Sequence, residues 1–130
     1  MDDLNIIILC GGKGNRIKEL SDIYGCKSLI PINNTPVIEY VLKSLKKIPY
    51  NVIYLCIDNP NLENKFQEII ERNKIEKIKI YNDFGRGPMQ TMNEVVSNIN
   101  AGRVLILFGH HPITINHLNK MLNIDPEILV

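Results

Sequence analysis

The chain lacks an excess of charge of either sign: 15 Lys and Arg stand against 14 Asp and Glu, for a formal net charge of +1. No basic face or arm stands out, which argues against a nucleic-acid or membrane-surface protein. Cysteine is scarce: Cys10, Cys26 and Cys56 form an odd set without C-x-x-C spacing, and they read as buried or half-buried thiols of a cytoplasmic protein. No apolar run approaches the ~18 residues of a membrane span. Met1-Asp2-Asp3 lacks the basic start of a signal peptide. There are no repeats, no low-complexity tract and no linker, so residues 1–130 are expected to form one domain.

What is present is an unbroken alternation of strand-like and helix-like segments. This pattern predicts an α/β fold, a Rossmann-like three-layer sandwich with a mainly parallel sheet. The strands expected are Leu4 to Cys10, Asn51 to Ile57, Lys77 to Tyr81 and Arg103 to Phe108. Ile6 to Cys10 and Val104 to Phe108 are apolar throughout, as strands buried on both faces should be, and are placed at the centre of the sheet. Helices are expected over Pro36 to Lys47, Leu62 to Arg72, Pro88 to Ile99 and Ile115 to Asn123. Their inward stripes are Val37, Val41, Leu45 and Ile48; Phe66, Ile69 and Ile70; Met92, Val95, Val96 and Ile99; and Leu118, Met121 and Leu122. Thr35 is the expected N-cap of the first, with Pro36 at its first helical position. The last residues, Ile128-Leu129-Val130, read as the start of a further strand.

The first strand runs directly into Gly11-Gly12-Lys13-Gly14-Asn15-Arg16, followed by Lys27-Ser28-Leu29-Ile30-Pro31. Glycines let consecutive N–H groups approach anionic oxygens, so this is a candidate polyphosphate cradle with cations attached. Two familiar glycine motifs do not fit. A P-loop needs Gly-Lys followed by Ser or Thr, but Asn15 follows Gly14 and Cys26 precedes Lys27-Ser28. The dinucleotide fingerprint needs a third small residue where Ile17 stands, and no acidic residue closes a second strand near Leu29 or Ile30.

The arrangement Gly-Gly-x-Gly-x-Arg, Lys-x-x-x-Pro and a helix near Pro36 resembles the signature of the sugar-phosphate nucleotidyltransferases. These enzymes of sugar-nucleotide biosynthesis make nucleoside-diphosphate sugars from a nucleoside triphosphate and a sugar phosphate. The resemblance implies that Leu9, Gly11, Gly12 and Gly14 approach the nucleotide, that Arg16 holds the β- and γ-phosphates, and that Lys27 places its charge by the α-phosphate. Two unit charges about 4 Å apart interact by roughly 4 kcal/mol at an effective dielectric of 20, so loss of either cation should be serious. Lys13 either touches phosphate or points to water.

A second segment similar to the family's is Tyr81-Asn82-Asp83-Phe84-Gly85-Arg86-Gly87-Pro88. There Gly85 and Gly87 would face the base and ribose, and Asn82 either reads a base edge or closes a turn. The third is Val104 to Phe108 followed by Gly109-His110-His111-Pro112. The resemblance implies an aspartate ligand of catalytic Mg²⁺ immediately after that glycine, and this chain has His110. Imidazole supplies neither negative charge nor oxygen and suits Zn²⁺, Mn²⁺ or Ni²⁺ better. His111 and His117 fit surface or cap roles.

The resemblance covers nearly the whole chain but only the nucleotide-binding half of a typical catalytic domain, so the expectation is a truncated nucleotidyltransferase fold without its acceptor half. The activity implied is transfer of a nucleoside monophosphate to a sugar phosphate or other phosphate acceptor, with release of pyrophosphate. The alternative is a catalytically impaired binding or regulatory module. An exposed edge on an incomplete sheet predicts self-association or a partner subunit.

Overall fold

Leu4–Leu9 forms the first strand, β1, and every residue in it is buried. Apolar side chains on both faces demand cover on both sides. Its one polar side chain is satisfied within the sheet: Asn5 Nδ2 donates to the Arg103 carbonyl at 3.4 Å, and Asn5 Oδ1 accepts from Asn51 Nδ2 at 3.0 Å. This computed structural model describes residues 4–10, 23–82, 88–99, 102–124 and 128–129.

The main sheet adds β4 (Val52–Ile57), β5 (Ile78–Asn82), β6 (Arg103–Phe108) and β7 (Ile128–Leu129) in the order β5-β4-β1-β6-β7. Each of these pairings is parallel, and β1 lies between β4 and β6. Ile6, Ile8 and Cys10 point to one face, into a core shared with Ile38, Leu42, Phe66, Ile69 and Leu118. Ile7 and Leu9 point to the other, against Cys56, Val95, Val104 and Ile106. This alternation yields helices on both faces of a parallel sheet, as expected from the sequence. Each fully buried Ile or Leu contributes roughly 1.5 to 3 kcal/mol, which is why β1 anchors the sheet. β7 is the strand whose start the last residues suggest, paired to β6 through Val104 and Leu105.

The helices are α1 (Val37–Leu45), α2 (Glu63–Arg72), α3 (Pro88–Ser97) and α4 (Ile115–Ile124). In α1 and just beyond it Val37, Val41, Leu45 and Ile48 are buried, and in α2 Phe66, Ile69 and Ile70 are buried, as their spacing predicts. In α3 Val95 is buried, but Val96, expected inside, is 37% exposed. It sits on the flank of the stripe, one helical step from Val95. Leu118 of α4 is buried and Leu122 packs partly against the same core. None of the described helices is long and apolar enough to cross a membrane.

Two local expectations are corrected. Thr35 does not cap α1: Thr35–Pro36 forms the short strand β3, paired antiparallel with β2 (Pro31–Ile32), and α1 begins at Val37 without a side-chain cap. Asn33 and Asn34, at φ of 52° and 66°, close this hairpin, and both lie in the left-handed region that asparagine tolerates. Pro36 is therefore extended, with ψ of 138°. The Val37 N–H, which a cap would have served, donates instead to the Ile30 carbonyl at 3.0 Å. Lys77 likewise has positive φ, 53°, so β5 starts at Ile78 and runs through Asn82.

Candidate functional site

Parallel strands expose all their carboxyl ends along one edge, and ligands of open α/β sheets bind beyond that edge. Here Leu9 is level with Cys56 of β4 and Phe108 of β6, while Ile57 is level with Asn82 of β5. The ladder continues past the strands, since Cys10 N–H donates to Cys56 O at 2.8 Å and Gly109 N–H donates to Leu9 O at 3.0 Å.

Lys27 reaches this edge from a single 3-10 turn, Lys27–Leu29. Leu29 N–H donates to Cys26 O and Ile30 N–H to Lys27 O, both at 3.2 Å. Ser28 and Leu29 are buried, so Lys27 is the residue of the turn left half-exposed. His110 stands immediately after Gly109, and His111 N–H donates back to Phe108 O at 3.2 Å, curling the chain at the strand end. The His110 and His111 rings lie 4.2 Å apart, and Phe108, 40% exposed, packs against both at 5.9 and 6.0 Å.

Burial first, then the neighbouring His111 and Lys27, hold His110 below the ordinary histidine range. The imidazole is therefore neutral at neutral pH and lies within the electrostatic reach of the Lys27 ammonium. That pairing does not fit Mg²⁺, which seeks hard anionic oxygens and is repelled by a cation. Among the described residues, no group of three or more His, Cys, Asp or Glu is placed to hold a metal ion.

The remaining residues singled out from the sequence divide clearly. Leu9 is 7% exposed, its side chain in the core beside Ile7 and Val95. Asn82 is half-buried at the end of β5, two strands from Leu9 and so roughly 10 Å away at ordinary strand spacing. Lys27 and His110 are thus brought together, with Asn82 on the opposite side of Leu9. Gly11, Gly12, Gly14, Arg16, Gly85 and Gly87 lie outside the described residues.

Sequence reasoning missed a knot of small side chains behind Lys27. A Cβ placed on Gly109 would stand 2.5 Å from Cys10 Sγ, 2.7 Å from Ser28 Oγ and 3.2 Å from Ile38 Cδ1. Ser28 is fully buried, and among the described residues its hydroxyl has no oxygen or nitrogen partner and only the Cys10 sulfur beside it. A hydrogen bond from the Ser28 hydroxyl favours the Cys10 thiolate, but burial outweighs it and pushes the thiol well above its ordinary value, so the sulfur stays protonated and is a weak acceptor. The half-buried Asp58, just past β4, adds to the rise of both Cys10 and Cys26. A glycine directly after an apolar strand was the available signal, but its partners are distant in sequence.

Two clefts open on these elements. One of about 440 Å³ runs beside the end of β6, lined by Phe108, His111, Thr114 and His117 among others. The other, about 560 Å³, lies between the β2–β3 hairpin and α2 and contains Glu39 and Arg72. Glu39 is engaged there, accepting from Arg72 Nη2 at 2.6 Å and Asn73 Nδ2 at 2.9 Å.

A parallel α/β sheet presenting a lysine and a neutral histidine at its carboxyl edge is the architecture of an α/β protein that binds its ligand beyond the strand ends. The chain belongs to the family of the MobA-like NTP transferase domain, which matches residues 6–126. Its fold is shared with a cytidylyltransferase from Leptospira borgpetersenii, at a TM-score of 0.69 and 17% identity over 96% of this chain and 49% of the other. Rv0371c from Mycobacterium tuberculosis, solved in complex with manganese, has a TM-score of 0.62 and 11% identity over 93% of this chain and 58% of its own. A UDP-glucose pyrophosphorylase complexed with UDP-glucose has a TM-score of 0.62 and 16% identity over 95% and 54%. The chain spans about half the length of the solved structures it matches. No curated protein matches it at a significant level.

Proposed function

We propose that this chain supplies the triphosphate-binding part of a nucleotidyltransferase acting on a sugar phosphate or a similar phosphate acceptor. In that reaction an acceptor phosphate oxygen attacks the α-phosphorus of a nucleoside triphosphate. The bond from the α-phosphorus to the bridging oxygen breaks, and pyrophosphate leaves with the electron pair. The protein's part is to position the two anions and offset their charge. Lys27 would neutralise the α-phosphate, Arg16 the β- and γ-phosphates, and the backbone of Gly11, Gly12 and Gly14 would donate to phosphate oxygens. Gly85, Gly87 and Asn82 would face the base and ribose. The observation that carries this reading is Lys27, held half-buried at the carboxyl edge of the sheet where β1 ends.

The test is pyrophosphate release from each of the four ribonucleoside triphosphates with glucose 1-phosphate or phosphocholine as acceptor, in Mg²⁺ or Mn²⁺, beside calorimetric titration with each triphosphate. Release that falls at least about tenfold in Lys27→Met is the expected result. Absence of both release and binding would overturn the reading.

A second reading, a nucleotide-binding module without turnover, is favoured by His110, whose neutral imidazole beside Lys27 is a poor Mg²⁺ ligand. It predicts triphosphate binding that survives EDTA and no pyrophosphate release under any of these conditions.

A further inference from the structure

Three segments far apart in the chain meet at Gly109: the end of β1 through Cys10, the Lys27–Leu29 turn through Ser28, and α1 through Ile38. The close approach does not come from an unusual backbone, because Gly109 has none of the positive φ seen at Gly25 and Gly102. An alanine could adopt its conformation. What an alanine lacks is room, since the space its methyl would need is already taken by a sulfur and an oxygen. Contacts of 2.5 and 2.7 Å are shorter than side chains tolerate, so one wall of the notch would have to move. The β1 wall is held in the sheet by the Cys10 N–H bond to Cys56 and the Gly109 N–H bond to Leu9. The Ser28 wall is a single turn closed by two long backbone bonds of 3.2 Å, and among the described residues its hydroxyl is held by nothing stronger than the neutral Cys10 sulfur. It is the wall that yields more readily.

We propose that Gly109 is a positioning residue: by omitting a Cβ it lets Cys10 and Ser28 close over the end of β6, and this seats the turn that carries Lys27 against His110. On this view the Ser28 hydroxyl is retained for its size, and the separation of Lys27 from the end of β6 is set by a packing contact. The depressed proton affinity of His110, to which Lys27 contributes, agrees with the closeness of the two groups. The functional half of the inference rests on the triphosphate-binding reading above, whereas the packing half does not.

The test compares the full chain as wild type, Gly109→Ala, Lys27→Met, Gly109→Ala/Lys27→Met, and the triple variant Cys10→Ala/Ser28→Ala/Gly109→Ala, which removes the sulfur and the oxygen to make room for the methyl. Backbone amide shifts read the position of the Lys27–Leu29 turn, and calorimetric titration with ATP, CTP, GTP and UTP reads its use. Gly109→Ala is expected to move the amides of Lys27–Leu29 more than those of α2, and to weaken whichever triphosphate the wild type binds by about tenfold. Lys27→Met should then add little in the Gly109→Ala background, although it weakens the wild type, and the triple variant should restore both amide positions and affinity. Unmoved turn amides in Gly109→Ala, additive losses with Lys27→Met, or a triple variant that restores neither readout would overturn the proposal. If Gly109→Ala does not fold, the triple variant decides: folded with restored binding supports the clasp, and unfolded or weakly binding refutes it. A wild type that binds no triphosphate would remove the proposed function, while the amide shifts would still decide the packing claim.

Discussion

Ser28→Ala is expected to stabilise the protein. A buried hydroxyl with no partner better than a neutral thiol carries a desolvation penalty of about 1 to 3 kcal/mol that alanine does not. Against this, removing one oxygen from a tight notch forfeits its contacts with Cys10 and Gly109 and leaves a void smaller than a methyl group, costing roughly 0.5 to 1 kcal/mol. Desolvation is the larger quantity because Ser28 is 0% exposed and, among the described residues, its hydroxyl has only the weakly accepting Cys10 thiol to lose. The expected net gain is therefore about 1 kcal/mol, or roughly 3 °C in Tm for a domain of this size. Urea melts with an unchanged slope would measure it. Ser28→Thr should have the opposite sign, since an added methyl crowds the same notch. A loss of about 1 kcal/mol or more in Ser28→Ala would refute the reasoning and show that the hydroxyl has a real partner, with the Cys10 sulfur first in line.

Three further outcomes follow from the packing and the charges. Phe66→Ala, which removes a ring 1% exposed between α2 and the sheet, should cost about 3 to 5 kcal/mol in the same melts. Burial pushes the Glu39 carboxyl upward, but the hydrogen bonds from Arg72 and Asn73 and the Arg72 charge outweigh it and hold the group below its usual 4.5. A carboxylate depressed in the folded state contributes stability that is fully present above the unfolded value and is lost as pH falls through the folded one. Glu39→Gln should therefore destabilise most near pH 7 and least near pH 3, and a penalty that grows on acidification would contradict the pairing. The buried, protonated Cys10 should resist iodoacetamide at pH 8 in the native protein and react in urea, as read by mass spectrometry; rapid native alkylation would show that the strand end is open.

The sheet was legible because its central strands carry one signal each. Ile6 to Ile8 and Val104 to Leu107 are apolar on both faces, a pattern that suits few positions other than the middle of a parallel sheet. The helix stripes were legible for a similar reason, since burial at i, i+3 and i+4 repeats over several turns. The start of α1 was not, because Pro31-Ile32 and Thr35-Pro36 draw the chain into a hairpin that competes with the cap. Asn33-Asn34 was its local signal, two residues that both accept positive φ. Val96 marks the edge of what a stripe can say: its position in the sequence makes it a candidate for the interior, but only the width of the neighbouring layer decides how far round the helix burial extends.

The candidate site follows a different logic. Lys27 and His110 could be named from the sequence as residues that carry chemistry, but nothing in either segment says that they lie within electrostatic reach of one another. Their proximity is made by Cys10, Ser28 and Gly109, none of which carries the charge, and which meet only because β1 and β6 are neighbours and the turn folds back across their ends. A charged group on a single 3-10 turn has little of its own to hold it, since one turn closes few hydrogen bonds. Its placement therefore depends on the shape of the surface it rests on. At this edge that surface is a glycine flanked by a sulfur and a hydroxyl oxygen, so the position of the cation is decided by the absence of a methyl group.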